Sequence, residues 1–258
     1  MKRASGTKHA TEKPIEALVS SKSASDWIAA ASDARLTEDF AVALLEHRDL
    51  PAAAIEALAR NSAAKKNRKA LVSLAAHPRS PRHVALPMLR NLFAFELMEV
   101  ALRPSVPADI KRAADENIVA RLAAISPGER MTLAKQGSTR VAAALLRDVE
   151  ERVSGTALNN PRMTEAEIVN SLRNDRHPAH LVDAICRDSK WSLRVEIQAV
   201  LLLSPHISLV NAMKIADRLP FSKVESLMQN SRIQPKIKDY LAARLFTNRL
   251  YESGRARE

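Results

Sequence analysis

Apolar positions along the chain fall in short groups at helical spacing, such as Leu71, Leu74 and Ala75, then Val84, Leu86 and Leu89, then Ile168, Val169 and Leu172. A stripe recurring every three to four residues is one buried face of an amphipathic helix. Helix-start signals precede these groups. Ser126-Pro127-Gly128-Glu129 reads as a capping box with proline at the first helical position, where its missing N–H costs nothing. Thr164 and Glu167 read as a second box, and Ser80-Pro81 as an N-cap followed by a first helical residue. Thr37, with Glu38 and Asp39 behind it, places negative charge in a first turn, where the helix dipole favours it. The pattern predicts helices of about 10 to 16 residues with short breaks.

The breaks themselves repeat. A helix-stopping proline is followed three residues later by a helix-starting residue at Pro78/Pro81, Pro104/Pro107, Pro161/Thr164 and Pro205/Ser208. Degenerate copies surround Pro51 and Pro235. With Arg48 and Ser231 as outer anchors the spacings are 30, 26, 57, 44 and 26 residues. The 57 is close to two units, whereas the 44 implies irregularity or an insertion. A period in this range signifies stacked helical repeats, in which a unit buries its apolar face against its neighbours.

The strings His77-Pro78-Arg79-Ser80-Pro81, Arg103-Pro104-Ser105-Val106-Pro107 and Asn160-Pro161-Arg162-Met163-Thr164 resemble those of HEAT-like and leucine-rich-repeat-variant helical arrays of bacteria. By repeat logic the resemblance covers roughly residues 36–246, although the spacing is less uniform than in the regular variant repeat. It implies an irregular α-solenoid of stacked antiparallel helices, wound right-handed. A compact globular all-α domain is the alternative. Such arrays host many functions, so the resemblance speaks to fold more than to activity.

Composition supports the helical class. Only 5 of 258 residues are glycine and 3% are aromatic, too few for the turns and cross-strand packing of a β protein. Cys186 is alone, so no intramolecular disulfide can form, and a cytoplasmic setting is expected. The most apolar stretch, residues 84–102, is interrupted by Pro87, Arg90, Asn91, Glu96 and Glu99, which excludes a membrane span there. Residues 1–13 are expected to be a basic disordered tail, 14–249 the helical-repeat domain, and 250–258 a C-terminal tail.

Charge adds the main functional clue. The net charge is +11; residues 1–13 contribute +3 and residues 251–258 nothing, so +8 lies in the folded part. Residues 57–95 hold no Asp or Glu, yet contain Arg60, Lys65, Lys66, Arg68, Lys69, Arg79, Arg82 and Arg90. On one continuous helix Lys65, Lys66, Arg68 and Lys69 share an arc opposite Leu71, Leu74 and Ala75. Together with Arg79, Arg82 and Arg90 they form the candidate binding surface, suited to nucleic-acid phosphates or to an acidic protein. The competing reading is a solvated face. Base stacking has little support, because Phe93 and Phe95 sit in apolar runs expected to be core, as does Trp191 at a helix start.

Other constellations are weak. His177 and His180 are spaced for one helix face and Cys186 follows, but no further ligand completes a zinc site. Glu165 and Glu167 are explained by capping and the dipole, and Cys186 between Ile185 and Arg187 by burial as a small apolar group. HEAT-like DNA glycosylases combine helical repeats with a carboxylate beside aromatics, which draws notice to Asp183, Asp188 and Trp191. The sequence therefore predicts a non-enzymatic binding scaffold with no cofactor, metal or membrane, and a protein partner. The alternative is a phosphate-contacting nucleic-acid binder, with that glycosylase type as its enzymatic form.

Overall fold

The computed structural model describes residues 14–174 and 177–255, and the side chains of 14–174 and 177–248. All regular structure among them is helical. Residues 1–13, where a disordered tail was expected, lie outside the described residues.

The chain divides into two compact units, through Ala120 and from Arg121. The first holds α1 (Ile15–Val19), α2 (Ala24–Ser32), α3 (Glu38–Leu45), α4 (Ala52–Arg60), α5 (Ser62–Lys66), α6 (Arg68–Ala76), α7 (Arg82–Leu89), α8 (Ala94–Leu102) and α9 (Ala108–Arg121), which ends at the boundary. The second holds a short 3-10 turn (Leu122–Ala124), α10 (Pro127–Gln136), α11 (Thr139–Leu145), α12 (Glu151–Leu158), α13 (Glu165–Arg173), α14 (Ala179–Arg187), α15 (Val195–Leu201), α16 (Leu209–Arg218), α17 (Phe221–Met228) and α18 (Pro235–Arg255). The helix α18 runs through residues 250–255, which the sequence reading had assigned to a tail.

Within each unit helices pack on neighbours two places along the chain. Thus α2 meets α4, α1 meets α3, and α6 meets α8; in the second unit α10 meets α12, α11 meets α13, and α13 meets α15. Alanines make this approach close: Ala30, Ala41, Ala54 and Ala70 are fully buried between Leu44, Ile55, Leu58 and Leu74. Leu133, Ile168, Leu181, Ile185 and Ile197 do the same in the second unit.

The odd 44-residue spacing now has an explanation. From Pro104 to Pro161 the chain passes four helices, α9 to α12, which is two helix pairs. From Pro161 to Pro205 it passes three, α13 to α15. The 57-residue interval thus holds an even number of α-helices and the 44-residue interval an odd number.

Helix starts follow the capping signals closely. Ser126 and Glu129 form the reciprocal capping box of α10, and Thr164 Oγ1 accepts from the Glu167 N–H at 3.3 Å. Thr37 accepts from Phe40 N at 3.4 Å. The Ser80-Pro81 expectation is off by one: Pro81 is the N-cap and α7 begins at Arg82.

Candidate functional site

The turns carry most of the polar chemistry. A polar side chain at the start of the turn accepts the N–H two residues on, at Asp33 (2.8 Å), His77 (3.2 Å), Asp148 (3.0 Å), Asn160 (2.8 Å), Asp188 (2.8 Å), Ser204 (3.2 Å) and Asn230 (2.9 Å). This local bond imitates a backbone turn and ends the helix. After Asp33, Asn160, Asp188, Ser204 and Asn230 the third residue on is buried, as Leu36, Met163, Trp191, Ile207 and Ile233.

Side chains at or near the turns also reach back to a turn about 25–30 residues earlier. His47 Nε2 meets Val19 O at 3.1 Å, and His77 Nε2 meets His47 O at 3.1 Å. Asn61 Nδ2 donates to Ala31 O and Asp33 O. Asn160 Nδ2 donates to Ala134 O at 2.7 Å and to Lys135 O and Gly137 O at 3.3 Å. Gln234 Nε2 reaches Pro205 O at 3.2 Å. Each clasp adds a side-chain donor to a carbonyl at a helix C-terminus or in the turn after it; His47 O and Asp33 O also accept from Leu50 N and Leu36 N. At His77-Pro78 and Asn160-Pro161 it is the residue before the proline that bonds to the earlier turn.

His77 shows what the clasp requires. Nδ1 accepts from Arg79 N while Nε2–H donates to His47 O, so the ring must be neutral. Burial lowers its pKa; the His47 carbonyl acts against this and the nearby Arg79 charge adds to it. Because the folded pKa lies below the unfolded one, the unfolded chain takes up the proton first, and stability falls as pH drops below about 6.5 toward the folded pKa. Urea midpoints at about pH 7.5 and pH 5.5 should fall more for wild type than for His77→Gln. Equal falls would mean that His77 is not the titrating clasp.

The basic candidates do not share one helix face. Asn67 interrupts: its extended backbone (ψ 119°) ends α5, and its side chain accepts from Ala70 N at 3.1 Å to start α6. Lys65 and Lys66 therefore close α5, whereas Arg68 and Lys69 open α6. Arg79 and Arg82 lie past the other end of α6, a helix about 13.5 Å long.

Several of these cations meet acids from distant parts of the sequence. Arg68 forms a bidentate pair with Glu96 (Nε to Oε1 2.9 Å), donates to Asn91 O, and lies 4.1 Å over the Phe93 ring. Arg79 donates to Asp49 O at 2.8 Å and stands 3.5 Å from its carboxylate. Arg82 Nε is 2.6 Å from Asp109 Oδ2. Arg90 is the exposed C-cap of α7. Lys65, Lys66 and Lys69 are exposed, with no ion pair to any described residue. Lys65 and Lys66 suit the negative end of α5; Lys69 stands in the first turn of α6, where the dipole disfavours it.

Two core expectations fail. Phe93 is 68% exposed because it is the N-cap of α8, its N–H held by Glu96 Oε2 at 2.7 Å. Phe95 is 39% exposed, one residue further into the same helix start. Trp191 is buried, its indole N–H donating to Leu158 O at 3.1 Å, and Asp188 Oδ1 accepts the Trp191 backbone N–H at 2.8 Å. Asp188 and Trp191 are thus neighbours within a turn.

His177 is buried, with Nδ1 2.6 Å from Asn174 O and Nε2 2.8 Å from Ser204 Oγ; His180 Nε2 meets Asp148 O at 3.1 Å. Burial, and then the Asp183 charge, push the Cys186 thiol up to about 11, which keeps it protonated at neutral pH. Among the described residues no three His, Cys, Asp or Glu gather as metal ligands, and no helix is long and apolar enough to cross a membrane.

One feature was not foreseen from sequence. Between α10 and α12 lies an open groove of about 750 Å³, lined by residues that include Met131, Lys135, Gln136, Arg152, Gly155 and Asn159. Residues four apart on each helix supply it, so the signal was a polar face on two helices whose packing could not be read locally. Compared with protein-family models, curated proteins and solved structures, the chain matches none of them.

Proposed function

We propose that the chain is a non-enzymatic helical-repeat scaffold, a solenoid of the HEAT-like kind its turn strings resemble, that holds a protein partner in the cytoplasm. The observation that carries this reading is the use of the polar residues. His47, His77, Asn160, His177 and His180 are all tied to backbone or hydroxyl groups of other turns. They stiffen a framework, and the exposed helix surface remains for recognition. The positive balance of the chain favours an acidic partner.

A second reading, contact with nucleic-acid phosphates, is favoured by exposed Lys65, Lys66 and Lys69, which have no described counter-ion. The two are separated by one pair of measurements on wild type and on the triple Lys→Gln variant. The scaffold reading expects an acidic protein partner captured by the wild type and no duplex or single-strand binding at about 50 mM salt. Nucleic-acid binding that weakens steeply with salt, with a shallower slope in the variant, would replace it with the second reading.

A further inference from the structure

The α10–α12 groove has features that neither helix needs for itself. Gly155 lies inside α12, where glycine is less favourable than alanine. A Cβ built there would meet nothing within 4 Å, so packing within the chain does not demand glycine. Its missing side chain deepens the groove. Lys135, Gln136 and Arg152 are exposed, and their side chains form no hydrogen bond or ion pair with a described residue.

The charges are spaced along the groove. Met131 and Arg152 also line an adjoining hollow with Glu150, at the N-terminal ends of both helices. Lys135 lies four residues beyond Met131, about 6 Å along α10. An extended chain repeats its side-chain direction every two residues, about 6.6–6.8 Å. Carboxylates at positions i and i+2 of an extended segment point the same way at a spacing close to that rise, so a segment lying along the groove offers one to each wall. The amides of Gln136 and Asn159 offer donors and acceptors to the backbone of such a segment; Asn159 Nδ2 already donates to Gly155 O, leaving its oxygen to accept. No aromatic ring lines the groove, so base stacking, the usual grip on single-stranded nucleic acid, has no platform there.

We infer that the groove between α10 and α12 is a docking site for an extended acidic segment of a partner protein, with Arg152 and Lys135 each taking one carboxylate of an acid-x-acid sequence. This rests on the scaffold reading above and specifies where the partner sits.

The test is amide NMR on the full chain, titrated to about 1 mM with a decapeptide alternating Glu and Ser, and with its Gln-Ser counterpart. Saturating shifts should centre on Met131, Lys135, Gln136, Gly155 and Asn159 for the acidic peptide only. The double Lys135→Gln, Arg152→Gln variant should weaken binding about tenfold or more. Gly155→Leu should abolish it, while Gly155→Ala serves as a variant that favours the helix and narrows the groove only slightly. No shifts in the groove, or shifts unchanged in the variants, would overturn the proposal. So would a deoxythymidine decamer that binds the groove more tightly than the peptide. If an acidic partner is still captured while the groove stays silent, the docking site is wrong and the scaffold reading stands. Loss of both removes both.

Discussion

Replacing Asn160 with leucine should destabilise the second unit by about 3 kcal/mol, the largest effect expected of any single neutral substitution in the turns. Asn160 is 2% exposed, and its amide serves the end of α10 and its own turn at once. Leucine is similar in bulk, so the loss would come from hydrogen bonding. It would leave the Ala134 carbonyl without this amide at a buried position and release the Arg162 N–H. A buried polar group that loses its partner costs about 1–3 kcal/mol. The neighbouring Asn159→Leu is the control: Asn159 is exposed, and its change should stay within about 0.5 kcal/mol. Urea unfolding of both variants checks this, and equal midpoints would refute the role given to Asn160.

The second large effect lies in the ion pair between α10 and the turn before α12. Arg130 Nε is 2.8 Å from Asp148 Oδ2, with side-chain exposures of 13% and 8%. Arg130 also donates to Ile125 O at 2.9 Å, and the Asp148 carboxylate accepts from Glu150 N. Removing one partner of a buried pair leaves the other charged and uncompensated, so Arg130→Met should cost about 3–5 kcal/mol. The double variant Arg130→Met, Asp148→Asn should recover a substantial part of that loss, because the stranded charge is gone. Unfolding free energies for the two singles and the double decide the matter. Strict additivity would show that the pair does not act as a unit.

The all-α class and the helix starts at Ser126, Thr164 and Thr37 were legible because capping is local: donor and acceptor lie within three residues. The cationic arc was not. The helical period runs unbroken from Lys65 to Ala75, and only the capping bond of Asn67 shows that two helices meet there. The acid-free run misled for a related reason. A local charge count cannot reveal that Glu96 and Asp109, 28 and 27 residues further on, neutralise Arg68 and Arg82. Phe93 was assigned to the core by its apolar neighbours, yet Glu96 three residues later was already a capping signal. The groove was hidden because its walls come from helices separated in sequence by α11.

Side chains such as His47, His77, Asn160 and Gln234 tie their turns to ones about 25–30 residues earlier, and this linkage is what holds neighbouring helices together. Amide hydrogen exchange in wild type and Asn160→Leu tests it most directly, since exchange reports which segments open together. The account predicts faster exchange both in the turn around residues 158–164 and at the end of α10, residues 133–137, rising together. Faster exchange confined to the turn that carries the substitution, with α10 as protected as in wild type, would contradict it.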